Sequence, residues 1–158
     1  MTEKILETFK SLGFELEDLE EIGYGFQYES INFIWMTNED TKFLNIGIPG
    51  VLDKKDGDEL MFYQLIDKLN GTFKYVKVNT LGDSMWLFYE RELLDSDENL
   101  EEIISKMVVH LEASLEMFRM ILKEANENSD EDTGEGNDES ETFTEAIEVS
   151  GDEENQNE

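Results

Sequence analysis

The search for reactive groups in this chain starts with its single histidine, His110, which any Ser-His-Asp triad would have to use. This histidine stands between Val109 and Leu111, near the border of an apolar helical stripe, and we interpret it as a partly buried or interfacial side chain. No Gly-x-Ser-x-Gly sequence supplies a nucleophile. The absence of cysteine excludes thiolate catalysis, disulfides and cysteine-ligated zinc. We therefore predict that the chain is not an enzyme and has no catalytic residue.

Carboxylates are abundant, but their spacing does not build a site. The acids between Glu15 and Glu21 crowd one connector, and dense acids in an acidic chain usually form a solvated face. A calcium-loop template starting at Asp130 has acids at its first, third and twelfth positions. Its fifth and sixth positions, however, are Gly134 and Glu135, where an oxygen ligand and a glycine are required. We predict no metal and no cofactor.

Charge narrows the range of partners. The 158 residues carry a formal net charge of −28, from 12 basic and 40 acidic residues. Half of that charge lies in residues 126–158, so residues 1–125 are acidic by themselves. Such a surface repels nucleic acid and anionic membranes and favours basic or unfolded polypeptides. Because the N-terminus lacks a secretory pattern and no long apolar run follows, we expect a cytoplasmic protein.

The first half of the chain predicts one helix followed by three strands. Thr2 can cap a short amphipathic helix. Alternating apolar residues then indicate a hairpin that turns at Glu29-Ser30. A further turn at Asn38-Glu39-Asp40 leads to a third strand, Phe43 to Ile48, which Pro49-Gly50 closes.

The second half predicts a helix, two strands and a long final helix. The first of these helices ends at Asn70-Gly71, and its apolar side is formed by Leu60, Met61, Leu65, Ile66 and Leu69. Strands follow at Phe73 to Asn79 and at Ser84 to Arg91. Asp95 and Glu98 can form the capping box of the last helix. The predicted fold is α+β, in the order α-βββ-α-ββ-α, with an antiparallel sheet of about five strands.

The last helical pattern, from Asp95 to Ala125, is longer than the domain needs to cover its sheet, since it would span about 40–45 Å. Its surplus apolar face indicates a partner. The residues that we expect to bind protein are Met107, Leu111, Leu115 and Phe118 on this helix and Trp86 and Phe88 on the sheet. The alternative is that each of them is an ordinary core residue.

The last strand is apolar on both sides, because Met85, Leu87 and Tyr89 alternate with Trp86 and Phe88. A sheet with one face in water should carry polar residues at one parity. The second face is therefore covered either by helices that sandwich the sheet or by a homodimer or a bound segment.

Residues 126–158 have the composition of a disordered acidic tail, which makes residues 1–125 the folded domain. The tail contains one apolar interruption, with Phe143, Ala146, Ile147 and Val149. Helical spacing of Phe143 and Ile147 would let this segment fold onto a groove, and the alternative is stray apolar residues in a disordered chain.

The runs Phe26 to Trp35, Phe43 to Pro49, Phe73 to Val78 and Met85 to Glu90, placed before a long amphipathic helix, resemble the YbjN-type domain. That domain is similar in fold to the type III secretion chaperones. The resemblance covers residues 2 to 125 and rests on patterns rather than on catalytic residues. It implies a small acidic protein, often a homodimer, that holds segments of other polypeptides on apolar patches.

Together these observations predict a non-enzymatic protein-interaction module, chaperone-like, which binds a protein or peptide through apolar patches. The alternative is an acidic decoy or inhibitor, a nucleic-acid mimic or toxin-neutralising protein that acts through its charge. The two hypotheses differ in salt dependence, because charge-based binding weakens steeply with salt and apolar binding survives it.

Overall fold

The computed structural model describes residues 1–37, 42–94 and 99–131, with side chains as far as residue 127. Its elements are α1 (Thr2–Ser11), β1 (Glu17–Asp18), β2 (Gly23–Tyr28), β3 (Ile31–Met36), β4 (Phe43–Asp53), α2 (Glu59–Thr72), β5 (Lys77–Leu81), β6 (Ser84–Glu92) and α3 (Leu100–Glu131). This confirms the predicted α+β class and element order, with β1 as an additional short strand. Among the described helices, none has the length and hydropathy required to cross a bilayer.

The chain divides into two compact units, Met1–Glu116 and Met117–Glu158. The sheet, α1, α2 and the first part of α3 belong to the first unit. The helix α3 continues to Glu131, beyond Ala125, where the composition changes. The rest of the predicted tail, its apolar interruption and most of the calcium-loop template lie outside the described residues.

The sheet is antiparallel, and its strands lie in the order β1-β2-β3-β4-β6-β5. The predicted turn between β2 and β3 is confirmed, with Tyr28 and Ile31 paired on either side of it. Glu29 and Ser30 have φ angles of 48° and 62°. Two successive positive φ angles are typical of the type I′ turn, whose twist matches that of the flanking strands.

Strand β4 does not end at Pro49-Gly50, contrary to the sequence-based prediction. It continues to Asp53, and its pairing with β6 shifts register between Ile48 and Leu52. The interruption explains how proline is tolerated there, because a bulge removes the ladder hydrogen bond that a proline cannot donate. The turn predicted at residues 38–40 lies outside the described residues.

The buried side of α2 agrees with the prediction at Leu69 but includes Phe62, which was not predicted, and excludes Leu60 and Met61. Phe62 and Leu69 are buried, whereas Leu60 and Met61 are 72% and 49% exposed. The orientation of α2 is fixed by Asn70, whose Nδ2 donates to the Val78 carbonyl O at 2.9 Å while its Oδ1 accepts from the Val78 N–H at 2.8 Å. This pair of hydrogen bonds holds α2 along the outer edge of β5.

The capping prediction for α1 is wrong. Thr2 is the first helical residue of α1, and the N-cap position is Met1, without a side-chain hydrogen bond. At the start of α3, the Asn99 Oδ1 accepts a hydrogen bond from the Glu102 N–H at 3.2 Å, which is an N-cap interaction. The capping box predicted at Asp95 and Glu98 lies outside the described residues.

One face of the sheet carries the core. The ring of Phe9 from α1 stacks on Trp35 with centroids 5.3 Å apart and contacts Phe26 at 5.1 Å. On α3, Ile104 and Leu111 are completely buried. Helix and strand aromatic side chains thus interlock in one continuous apolar layer.

Candidate functional site

Strand pairing determines which residues share a face of the sheet. Trp35, Ile46 and Tyr89 are direct partners across β3, β4 and β6 and therefore lie on one face. The helices cover this face, because Phe9 of α1 stacks on Trp35 and His110 of α3 stacks on Tyr89. We call this side of the sheet the helix face.

The opposite side, which we call the open face, has a different burial pattern. Ile34, Gly47 and Phe88 are paired in one row across it. Among the buried apolar side chains of the described strands, only Phe88 lies on this side, whereas Ile34, Met36 and Trp86 are half-buried. The sequence left open whether helices cover both faces of the sheet. In the first unit they do not.

Phe88 is buried by its neighbours in the sheet itself. Its ring lies over Gly47, where no side chain occupies the space, and a Cβ at that position would stand 3.1 Å from the Phe88 Cδ1. On its other side the Trp86 ring stacks on it, with centroids 5.8 Å apart and planes inclined by 12°. With Ile34 and Met36, these two aromatic residues form an apolar surface that we call the open-face patch.

A polar group borders the open-face patch. Glu90 accepts a hydrogen bond from the Asn45 Nδ2 at 3.0 Å, and its other oxygen pairs with the Lys77 Nζ at 2.9 Å. Since Lys77 is paired with Phe88 and Asn45 with Glu90, these groups belong to the same face. The patch thus has an apolar centre and a polar rim, the arrangement common in protein interfaces.

The six residues predicted to bind protein fall into two groups. Trp86 and Phe88 lie together on the open face. Met107, Leu111 and Leu115, which belong to the first unit, are at most 5% exposed, and Phe118, which belongs to the second, is 2% exposed. The binding role of the four helix residues stays a prediction, since their burial is that of core residues.

The edges of the sheet are less accessible than its open face. On β5, the backbone N–H and C=O of Val78 are already bonded to the side chain of Asn70. At the other edge, β1 contributes only two residues. A backbone that is already hydrogen-bonded and a very short edge strand both discourage the addition of another strand. The open face is therefore the better candidate contact surface.

A cavity of about 290 Å³ lies on the helix face, between the end of β6 and the first turns of α3. Its lining includes Tyr89, Arg91, Lys106 and His110. The His110 ring is parallel to that of Tyr75, at a centroid distance of 4.7 Å. Sequence reasoning missed this cavity, because strand and helix supply its walls from separate stretches of the chain.

The pKa values of Lys54 and Glu102 depart from those of the free side chains. A hydrogen bond to Asp83, together with the charge of that carboxylate, raises the pKa of Lys54. The pKa of Glu102, which lines the cavity, is lowered by the hydrogen bond that Lys106 donates to it and by the charge of that lysine. Glu102 is therefore ionised at neutral pH.

Neither a protein-family description nor a curated protein matches this sequence. Among solved structures, the crystal structure of YbjN from E. coli, described as a proposed transcription regulator, is similar with a TM-score of 0.54. The match has 10% sequence identity and covers 75% of this chain and 87% of that chain. At such low identity the similarity concerns the fold alone. It therefore supports the YbjN-like fold and leaves the secretion-chaperone resemblance without structural support.

Proposed function

We propose that this chain is a non-enzymatic protein-interaction module that binds a segment of another polypeptide on the open-face patch. The observation that carries the proposal is the pair Trp86 and Phe88, stacked on the side of the sheet opposite the helices. Aromatic side chains contribute large contact areas at low entropic cost, and residues of this kind dominate the energetics of protein interfaces.

Charge selects the kind of partner. Residues 1–125 carry a formal charge of −14 and the whole chain −28. Two copies of such a surface repel each other. A segment with apolar side chains and basic neighbours would instead gain from apolar burial and from charge attraction. We therefore assign the patch to an apolar, basic polypeptide segment rather than to a second copy, the homodimer expected from the resemblance.

A regulatory role would act through such a protein partner. The YbjN structure is described as that of a proposed transcription regulator. The net charge of this chain opposes contact with nucleic-acid phosphates, so regulation by direct DNA binding is disfavoured. Binding a polypeptide segment, in the manner of a chaperone in the cytoplasm, agrees better with the acidic surface.

The proposal can be tested with three labelled peptides of equal length. The first alternates Leu or Val with Lys, the second replaces Lys by Glu, and the third replaces the apolar residues by Ser. Fluorescence anisotropy would measure their binding to the full chain at about 0.1 M and about 1 M salt, where the Debye length is about 10 Å and about 3 Å. We expect binding of the first peptide that largely survives the higher salt concentration.

Variants locate the surface. Trp86→Ala and Ile34→Ser remove parts of the open-face patch, and Tyr63→Ala, at a half-exposed position of α2, is the matched control. We expect Trp86→Ala to weaken binding about tenfold, equivalent to about 1.4 kcal/mol, with Ile34→Ser also weaker and the control unchanged. Circular dichroism would verify that each variant is folded.

Other outcomes identify the rival functions. Equal binding of the first and third peptides, abolished by salt and unaffected by Trp86→Ala, would support the acidic decoy. Sedimentation as a dimer that Ile34→Ser dissociates would place a second copy on the patch. Either result would overturn the proposed peptide binding.

A further inference from the structure

The pair Asn70-Gly71, in the last turn of α2, combines a structural role with chemical reactivity. It is the single Asn-Gly pair in the sequence. Asparagine loses its side-chain amide more readily before glycine than before a larger residue, because glycine has no Cβ to keep its backbone nitrogen away from the neighbouring side-chain carbonyl carbon. Both residues are exposed, so water can reach them.

The fold withholds the geometry that this reaction needs. The Asn70 Nδ2 and Oδ1 are both bonded to the backbone of Val78, at 2.9 Å and 2.8 Å, which holds the side chain toward β5. Gly71 belongs to α2, and an α-helix directs each backbone N–H along its axis toward the preceding turn. Loss of the amide therefore requires that the last turn of α2 unwinds and that Asn70 leaves Val78.

We propose that Asn70 is a site of spontaneous deamidation, which releases α2 from β5 once the last turn of the helix has opened. The Gly71 nitrogen attacks the Asn70 Cγ, and the new C–N bond closes a succinimide ring. The side-chain nitrogen leaves as ammonia and takes the proton that the Gly71 nitrogen loses. Water then opens the ring at either of its carbonyl groups, so that the products are aspartate and isoaspartate.

Neither product restores the lost contact. Asn70 donates to the Val78 carbonyl O through Nδ2, and an ionised carboxylate has no proton to donate. Its oxygen would face that carbonyl oxygen, and the two acceptors repel each other. A negative charge in the last turn of a helix is also opposed by the helix dipole. Isoaspartate further adds a backbone carbon, which the regular helical hydrogen bonds do not accommodate.

Release of α2 changes an edge of the sheet. Val78 uses its backbone N–H and C=O for Asn70, and β5 is an outer strand. Loss of the side-chain partner returns both groups to the edge, where unpaired groups are a template for pairing with another strand. The modification thus opens an edge that the unmodified protein keeps covered.

The experiment incubates the full chain at neutral pH, in buffer and in concentrated urea, and follows residue 70 by peptide mass spectrometry. We expect conversion in both, at least about tenfold slower in buffer, which corresponds to an opening free energy of at least about 1.4 kcal/mol. Phe62→Leu weakens the packing of α2 without altering the reacting pair. It should accelerate conversion in buffer and leave the rate in urea unchanged.

Gly71→Ala separates the chemistry from the hydrogen bonds. A Cβ at Gly71 would meet nothing within 4 Å, so the bonds of Asn70 should persist. The added methyl group hinders ring closure, and we expect slower conversion in urea as well as in buffer.

Asn70→Asp supplies the product directly and tests the release. Hydrogen exchange of the Val78 amide should become at least about tenfold faster than in the unmodified chain. Gln64→Glu, the same amide-to-acid replacement at an exposed position of α2, is the matched control and should leave that exchange unchanged.

Three results would overturn the proposal. Equal rates in buffer and in urea would show that the fold does not control the reaction. The absence of conversion at Asn70 in the folded chain would remove the site. Unchanged exchange of the Val78 amide in Asn70→Asp would show that α2 is not released. None of these results bears on Trp86, so the peptide-binding proposal stands or falls separately.

Discussion

The ring of Phe88 lies against the backbone of Gly47 in the neighbouring strand. A Cβ at Gly47 would stand 3.1 Å from the Phe88 Cδ1 and 3.0 Å from the Leu87 carbonyl O, closer than side chains normally pack. Gly47→Val should therefore displace the ring and lower the free energy of unfolding by about 1–3 kcal/mol, the usual cost of overpacking. Urea denaturation followed by tryptophan fluorescence would measure the change.

Gly71→Ala serves as the matched control for that substitution. Gly71 lies in α2, has no positive φ angle, and a Cβ there would meet nothing within 4 Å. Alanine should raise the free energy of unfolding by about 0.5–1 kcal/mol because it restricts the unfolded chain. If both glycine substitutions were destabilising to the same degree, the close packing of Phe88 on Gly47 would not be the cause.

Removing the Asn70 side chain should loosen α2 from the sheet. Asn70→Ala leaves the N–H and C=O of Val78 without their side-chain partners, and we expect a loss of about 1–3 kcal/mol in the free energy of unfolding. Hydrogen exchange should show faster exchange of the Val78 amide. Asn79→Ala, at an exposed position of β5, is the control, and equal exchange in both variants would contradict the assigned role of Asn70.

The helix residues can be tested for core packing against partner binding. Leu111 is completely buried and Val109, two positions earlier, is 50% exposed. Leu111→Ala should cost about 2–5 kcal/mol in the free energy of unfolding, as buried leucines do, and Val109→Ala should cost less than about 0.5 kcal/mol. A Leu111→Ala variant of unchanged stability that bound the test peptide less well would favour the contact role predicted from sequence.

The ion pair of Glu102 and Lys106 should be visible in a pH titration. The hydrogen bond from Lys106 and its charge lower the pKa of Glu102 below its usual 4.5. A carboxyl group with a lowered pKa stabilises the fold above pH 4.5, and that stability is lost as the pH falls through the lowered value. Both side chains are largely exposed, which keeps the effect small.

Lys106→Met should bring the pKa of Glu102 back toward 4.5, measured from its carboxyl carbon resonance by NMR. The acid limb of the stability curve should become correspondingly shallower. Lys123→Met, which removes the partner of Glu127 elsewhere on α3, should leave the titration of Glu102 unchanged. An unchanged Glu102 titration in Lys106→Met would contradict the assigned cause of the shift.

Much of the fold is predictable from local patterns. The turn at Glu29-Ser30 follows from alternation on both sides of it, and it is where the sequence predicts it. The predicted end of β4 at Pro49 is wrong, because a proline usually ends a strand but is tolerated where β4 bulges. In α2 several sets of apolar residues could face the core, so the local pattern does not identify the buried side. The hydrogen bonds from Asn70 to Val78 of β5 set the orientation of the helix.

The candidate sites were harder to predict. Trp86 and Phe88 share one parity of β6, so their common face follows from sequence, but the lack of a helix over that face does not. The burial of Met107 and Leu115 follows from packing that the helical period alone does not show. The cavity joins Tyr89 to His110 across two elements, and no local pattern records such a contact.

The order of the strands has a consequence for synthesis on the ribosome. At the centre of the sheet, Phe43 of β4 pairs with Glu92 of β6, and the whole of α2 and β5 lies between them in sequence. The β2–β3 hairpin can close early, while β4 keeps one side unpaired until β6 has been translated. An emerging chain therefore exposes one edge of an apolar strand while α2, β5 and β6 are translated, and this is the interval in which the protein most needs protection from aggregation.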